Sequence, residues 1–180
     1  MSRPIHTVLV AAALLSLSAC GLHLRGHDTR DAQFAFHSIY IQAPGESTFI
    51  TTLRRGLAVH KLKVLTAPGR QDLTLNINYE TTDKQITALN ASGHVIEYLL
   101  RYRLSLRAYD RQQDDWLPAT EIQLQRVLPY DDTLVLAKQQ EEQMLYDDMR
   151  SDAAQQVLRR LAYARPPKPQ TDGAQQPANP

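Results

Sequence analysis

Residues His94 to Tyr109 read HVIEYLLRYRLSLRAY, and apolar and polar side chains alternate along them with a period of two. Because successive side chains of a β-strand point to opposite faces, this stretch is predicted to be a strand with one apolar and one basic face. The apolar series is Ile96, Tyr98, Leu100, Tyr102, Leu104, Leu106 and Ala108, and the polar series includes Glu97, Arg101, Arg103, Ser105 and Arg107. The strand is unusually long, which predicts a bulge or a sharp twist along it. Its apolar face needs a covering layer, so it is the centre of the predicted fold.

The N-terminal residues have the pattern of a secretion signal. Arg3 supplies a positive charge, and the apolar run from Val8 to Leu17 is too short for a permanent membrane span. The segment Leu17-Ser18-Ala19-Cys20 resembles a bacterial lipobox, in which the signal peptidase cuts before the cysteine and the thiol is lipidated. Residues 1–19 are therefore predicted to be removed and Cys20 to carry the lipid; the alternative is an ordinary signal peptide with a chance cysteine. Gly21 follows the cysteine where aspartate would favour inner-membrane retention, so sorting rules favour the outer membrane.

Charge and cysteine content exclude several classes of function. Removal of residues 1–19 takes Arg3 away, so the 20 basic residues fall by one and equal the 19 acidic residues. A neutral chain lacks the net basic footprint that nucleic-acid binding requires, so no nucleic-acid partner is predicted. Cys20 is the only cysteine, and its lipidation leaves neither a disulfide nor a thiol nucleophile.

The rest of the chain predicts one α+β domain over residues 36–163, between a lipidated tether at 20–35 and a proline-rich tail at 164–180 that is expected to be disordered. The strand that begins at Leu73 is predicted to alternate between the core and the solvent. The side chains predicted to face the core are Leu73, Leu75, Ile77 and Tyr79, and those predicted to face outward are Thr74, Asn76, Asn78 and Glu80. The predicted elements are strand Ser38–Ala43, a helix over Glu46–His60 capped by Ser47, a short strand over Lys61–Thr66, strand Leu73–Glu80 continuing to Leu89, the strand of His94–Tyr109, strand Thr120–Leu128, and a long helix from about Asp131 to about Ala162.

The order of these elements favours a two-layer α+β sandwich. A twisted, mainly antiparallel sheet of four to five strands would carry both helices on one face. The turn Asn90-Ala91-Ser92-Gly93 joins two of the strands as a hairpin. The uncovered face would then present Arg101, Arg103, Arg107, Asn76 and Asn78.

Catalytic and metal-binding motifs do not emerge from the sequence. It contains no HExxH, glycine-rich phosphate loop or GxSxG motif. His23 and His27 have a spacing that suits a metal on a helix, but they lie in the tether without a third ligand. Adjacent acidic pairs such as Glu141-Glu142 diverge on a helix and suit solvation or capping. We therefore predict neither an enzyme nor a cofactor or metal site.

The arginine row is the most informative feature for function. On a generic domain it would be a solvated face that keeps the protein soluble. On a lipid-anchored protein without catalytic groups, it favours a ligand surface, because the planar guanidinium matches phosphate and carboxylate groups. Residue-level reasoning thus predicts a membrane-tethered binding module for an anionic amphiphile.

Three stretches resemble the LptE family, the lipoprotein subunit of the outer-membrane lipopolysaccharide translocon. Cys20-Gly21-Leu22-His23-Leu24-Arg25 is similar to the family's opening, where Leu22 is usually aromatic. Gly93 followed by Glu97-Tyr98 resembles its central strand. Leu136-Ala137-Lys138, with Glu141, Met144 and Ala153-Ala154, resembles its last helix. The three occur in the right order between Cys20 and Ala162.

This resemblance implies a non-catalytic protein with two helices on a four-stranded sheet. The family member forms a heterodimer with the large β-barrel LptD, plugs its lumen, helps it assemble, and binds lipopolysaccharide on its way to the outer leaflet. Lys138 matches a family lysine associated with lipopolysaccharide contact; the alternative is a solvated lysine in the first turn of the helix. A second basic residue of the family lies just before the hairpin glycine, where this chain has Ala91 and Ser92, so Arg101 or Arg103 is expected to substitute. The alternative from another class is a structural envelope lipoprotein that acts through protein contacts alone.

Overall fold

The computed structural model describes residues 34–167. The predicted signal peptide, Cys20 and most of the tether lie outside the described residues, as do positions 168–180 of the tail. No helix within the described part of the chain combines the length and apolarity needed to cross a membrane. The elements are β1 (Ser38–Gln42), α1 (Thr48–Val59), β2 (Lys63–Leu65), β3 (Leu73–Leu89), β4 (Val95–Tyr109), β5 (Asp115–Pro129), a 3₁₀ turn (Asp132–Leu134) and α2 (Val135–Tyr163).

The strands form one mixed sheet in the order β2-β1-β3-β4-β5. β1 pairs in parallel with β2 and with β3, whereas β4 pairs antiparallel with β3 and β5 along almost its whole length. The predicted α+β fold is confirmed, and the antiparallel pairings dominate by length. The β1–β2 pair is parallel because α1 carries the chain back between these strands, and a parallel neighbour requires such a crossover.

The core lies between the sheet and both helices, which pack on the same face. From β4 it takes Leu100, Tyr102, Leu104, Leu106 and Ala108, from α1 Phe49, Ile50, Leu53 and Leu57, and from α2 Met149, Ala153, Val157 and Leu161. The predicted cap of α1 is confirmed, since the Ser47 side chain accepts a hydrogen bond from the Ile50 amide at 3.2 Å. The helices approach closely at Gly56, where an added Cβ would lie 2.4 Å from Leu158 Cδ1. Phe34, inside the predicted tether, already packs edge-on against the Phe36 ring.

A β-bulge in β3 overturns one predicted face. Ile77 pairs with Leu106 and Tyr79 pairs with Ser105, so Asn78 is an extra residue without a partner. Tyr79 therefore lies on the uncovered face, 38% exposed, and the prediction that it points inward was wrong. Glu80, predicted outside, turns toward the helices, where its Oε2 accepts a hydrogen bond from Ser47 Oγ at 2.6 Å.

One end of the molecule extends past the core. Here the tip of the β3–β4 hairpin lies beside the start of α2, and His94 Nδ1 is 3.0 Å from Asp132 Oδ2. The buried residues of α2 begin only at Tyr146, so its first turns lie outside the core. We call this region the distal end; its apolar residues, 44% to 70% exposed, are Ile86, Leu89, Ile96, Leu134, Val135, Leu136 and Met144.

Candidate functional site

The arginine row lies on the uncovered face of the sheet, as predicted, but its charges are matched by acids on neighbouring strands. Asp83 lies opposite Arg101 in the register, 3.6 Å from its Nη1, and 3.8 Å from Arg103 Nη2. Arg107 Nε lies 3.2 Å from Asp115 Oδ1. We call this surface the open face. It is a polar surface of paired charges, and an anionic ligand there would compete with Asp83 and Asp115.

Lys138 lies on the other side of the sheet, on the first turns of α2. Its side chain is 17% exposed and its Nζ lies 2.8 Å from Glu141 Oε2. The structure therefore does not bring Lys138 together with Arg101, Arg103 or Arg107, because the sheet separates them. Ala91 and Ser92 lie exposed in the hairpin turn, where Gly93 adopts φ +82°. The turn thus supplies no cation of its own.

Lys138 borders a cleft of about 480 Å³ between β3 and α2. Side chains at positions 138, 142, 146 and 150 share one side of the helix because they recur every four residues. We call this space the β3–α2 cleft. Its lining residues are Thr82, Lys84, Tyr130, Val135, Lys138, Gln139, Glu142, Gln143, Tyr146 and Arg150.

Lys84 is a cleft residue that the sequence analysis missed. Its Nζ lies 2.6 Å from Glu142 Oε2 and 4.1 Å from the centroid of the Tyr98 ring. Tyr98 in turn packs edge-on against Tyr130 at 5.0 Å. Thr82, Lys84 and Ile86 point toward the helices because the extra residue Asn78 shifts the faces of β3. The alternation in the sequence alone therefore placed Lys84 on the wrong face.

The inner end of the cleft adjoins a cluster of polar side chains between the sheet and the helices. Arg150 lies 2.9 Å from Asp147 Oδ1 and 3.7 Å from Glu80 Oε1. The Tyr102 hydroxyl is buried beside Glu80 without a well-aligned hydrogen bond; its burial, and then the charge of Glu80, raise the pKa of Tyr102. The Tyr146 hydroxyl donates to the Asp83 carbonyl at 3.0 Å, which fixes α2 to β3.

Chemically, the cleft can hold a charged group through ammonium and guanidinium contacts. Between Phe34 and Pro167, no group of three or more His, Cys, Asp or Glu side chains is arranged to hold a metal ion. Lys84, Lys138 and Arg150 stand with the carboxylate of Glu142 among the lining residues. The cations can form charge-assisted hydrogen bonds with an anion where it replaces their carboxylate partners.

The fold and its surfaces define a class: a small two-layer α+β domain with one face of the sheet covered by helices and the other open and polar. The sequence profile of the LptE family, described as lipopolysaccharide-assembly, matches residues 36–161. The chain belongs to this family, and the resemblance drawn from its three motifs is confirmed.

Individual relatives agree with the assignment. The chain is 24% identical to the LPS-assembly lipoprotein LptE of Pectobacterium atrosepticum over 162 residues, covering 89% of this chain and 86% of that protein. It is 36% identical to lipoprotein B of Nitrosomonas europaea, whose solution structure superposes with a TM-score of 0.64 over 77% of this chain and 88% of that one. A minor lipoprotein of Acinetobacter baumannii, 23% identical, shares the fold with a TM-score of 0.62 over 77% of this chain and 99% of that one.

Proposed function

We propose that this protein is a lipid-anchored outer-membrane lipoprotein that plugs an LptD-type β-barrel, helps it assemble, and contacts lipopolysaccharide during delivery to the outer leaflet. Its role is non-catalytic. The observation that carries the proposal is the match to the LptE family over the folded domain, residues 36–161.

The open face supports the position in a barrel lumen. Large outer-membrane barrels have polar interiors, so a domain lodged inside one needs a polar surface with charges of both signs. The open face has this character, because Arg101, Arg103 and Arg107 pair with Asp83 and Asp115. Ion pairs with two aspartates offset most of the charge of the three arginines, which lowers the cost of enclosing this surface in a lumen.

The distal end supports a large protein partner. Apolar side chains that are exposed together at one end of a soluble domain are typical of an interaction surface. Leu136, at 70% exposure, and Met144, at 64%, are the most exposed of them. We assign this end to contact with the barrel wall or its loops.

Lipopolysaccharide contact is assigned first to Lys138 and second to the arginine row. Lys138 combines the family match with a place in the β3–α2 cleft. Arg101, Arg103 and Arg107 lie on the opposite side of the sheet and, like Lys138, are paired with carboxylates, but they border no cleft with Lys138. Their pairing favours the second candidate function, a structural lipoprotein that works through protein contacts alone. Charge reversal at Lys138 and, in a separate variant, at Arg101 distinguishes the two surfaces: loss of lipopolysaccharide binding identifies the side used, with circular dichroism as the check on folding.

The decisive experiment is purification of the native protein from its own outer membrane in mild detergent, followed by mass spectrometry of what remains bound. We expect a large β-barrel in stoichiometric amount. Recovery of the lipoprotein alone, or with proteins associated with the cell wall, would contradict the plug role.

A further inference from the structure

The β3–α2 cleft contains two cationic side chains besides Lys138. Lys84 on the β3 wall, and Lys138 and Arg150 on the α2 wall, border the same space of about 480 Å³. Glu142 is the one acidic side chain among the lining residues, all of which lie in the described part of the chain. Each of these cations has a carboxylate partner: Glu142 for Lys84, Glu141 for Lys138, and Asp147 and Glu80 for Arg150. An anionic ligand therefore binds in the cleft by replacing one of these partners.

Lys84 is held in place by the groups around it. The Tyr98 ring lies 4.1 Å from its Nζ and the Tyr130 ring 5.8 Å, so the ammonium rests on an aromatic pair. Its ion pair with Glu142 Oε2, at 2.6 Å, holds the ammonium group toward α2. The side chain stays 31% exposed, so a ligand can reach it.

Glu142 occupies the place that an anionic ligand would take. It lies one helical turn after Lys138, on the same side of α2, and binds Lys84 from across the cleft. A carboxylate has two oxygens and one charge, whereas a phosphate monoester has three oxygens and a charge of about −1.5 to −2. Glu142 makes an ion pair with Lys84 alone, whereas a phosphate has the additional oxygen and charge for a second cation of the cleft.

We infer that the β3–α2 cleft is a site for a phosphate group of an amphiphile, in which Lys84 is the second cation beside Lys138 and Glu142 is an internal competitor that the phosphate displaces. The inference rests on the proposed function and deepens it. Lys84 supplies the positive charge that Ala91 and Ser92 lack at the hairpin turn. Val135 in the cleft wall, 44% exposed, gives the acyl part of the ligand an apolar contact.

The test is a set of single-charge variants of the full chain, titrated with lipopolysaccharide and with lipopolysaccharide stripped of its phosphates. Lys84→Gln should weaken binding of the phosphorylated form about tenfold, the scale of one charge-assisted hydrogen bond. Glu142→Gln should tighten it about three- to tenfold, because Lys84 is released from its internal partner. The matched control is Asp148→Asn, the same charge change on the same helix outside the cleft lining, which leaves Arg126 bound to Asp152 at 2.5 Å.

The pattern of outcomes separates this inference from the proposed function. Tighter binding by Glu142→Gln, unchanged binding by Asp148→Asn, and loss of both cleft effects with the dephosphorylated ligand would support the site. Equal tightening by the two acidic variants would show a long-range charge effect and overturn it. If neither the Lys84 variant nor the Glu142 variant changes the affinity, this site alone is overturned. If the unsubstituted protein and all its variants fail to bind lipopolysaccharide, the lipopolysaccharide role and the site are overturned together.

Discussion

At the scale of single residues, Asp72 joins the start of β1 to the start of β3. Its Oδ2 accepts hydrogen bonds from the amides of His37 and Ser38, both at 2.9 Å. Burial raises the pKa of Asp72, but the hydrogen bonds from His37 and Ser38 together lower it by more. The net pKa therefore lies below the ordinary value of 3.8. The charged form is thus the one that stabilises the fold.

The corresponding prediction concerns Asp72→Asn and its dependence on pH. The substitution should lower the free energy of unfolding by about 1–2 kcal/mol at pH 7, since two charge-assisted hydrogen bonds become neutral ones. Because the pKa is depressed in the folded state, the carboxylate's contribution is complete above the unfolded value and is lost as the pH falls through the folded one. Urea titrations should show a constant gap to wild type from pH 7 to about 5, closing below about 3.8. Asp114→Asn, in an exposed turn, is the control; a gap that stays open at low pH would mean that shape matters rather than charge.

At the scale of elements, the contact between α1 and α2 depends on Gly56. Alanine there favours the helix by up to about 1 kcal/mol, but its Cβ would lie 2.4 Å from Leu158 Cδ1. We expect Gly56→Ala to destabilise the domain by about 1–3 kcal/mol through overpacking. In a Leu158→Ala background the same change should be neutral or stabilising. A double-mutant cycle by chemical denaturation measures the coupling, and additive effects would contradict the close approach.

How far the sequence predicts these elements depends on what each one requires. The alternation in β4 and the Ser47 cap are local, so residue order was enough to find them. The parallel pairing of β1 with β2 and β3 follows from strand order, which no local pattern encodes. The extra residue Asn78 shifts the faces of β3, which misplaced Tyr79 and hid Lys84. The pairing of Asp83 with Arg101 and Arg103 likewise depends on the register between strands. The sequence alone therefore could not show that these arginines are paired with an acid.

At the scale of the whole molecule, the predicted lipid anchor at Cys20 is expected to hold the domain at the membrane. Cys20→Ala removes the thiol that is predicted to be acylated, and it lies outside the folded region that begins at residue 34. One acyl chain binds membranes only marginally, whereas several give stable anchoring, so loss of all of them should release the protein. Fractionation of membranes with and without the substitution measures the effect. Tight membrane association of the Cys20→Ala chain in cells that lack the barrel would show that another anchor exists.

The two ends of the molecule should behave differently when charge is added to them. Leu136 and Met144 are 70% and 64% exposed at the distal end, and Val59, at the far end of α1, is 71% exposed. Since none is buried, glutamate at these positions should change the free energy of unfolding by no more than about 0.5 kcal/mol. A Leu136→Glu/Met144→Glu variant should nevertheless lose most of its co-purifying barrel, because charges placed in an apolar contact must be desolvated. Val59→Glu should retain the barrel. Equal recovery with both variants would remove the distal end from the interface, and equal loss would point to solubility rather than contact.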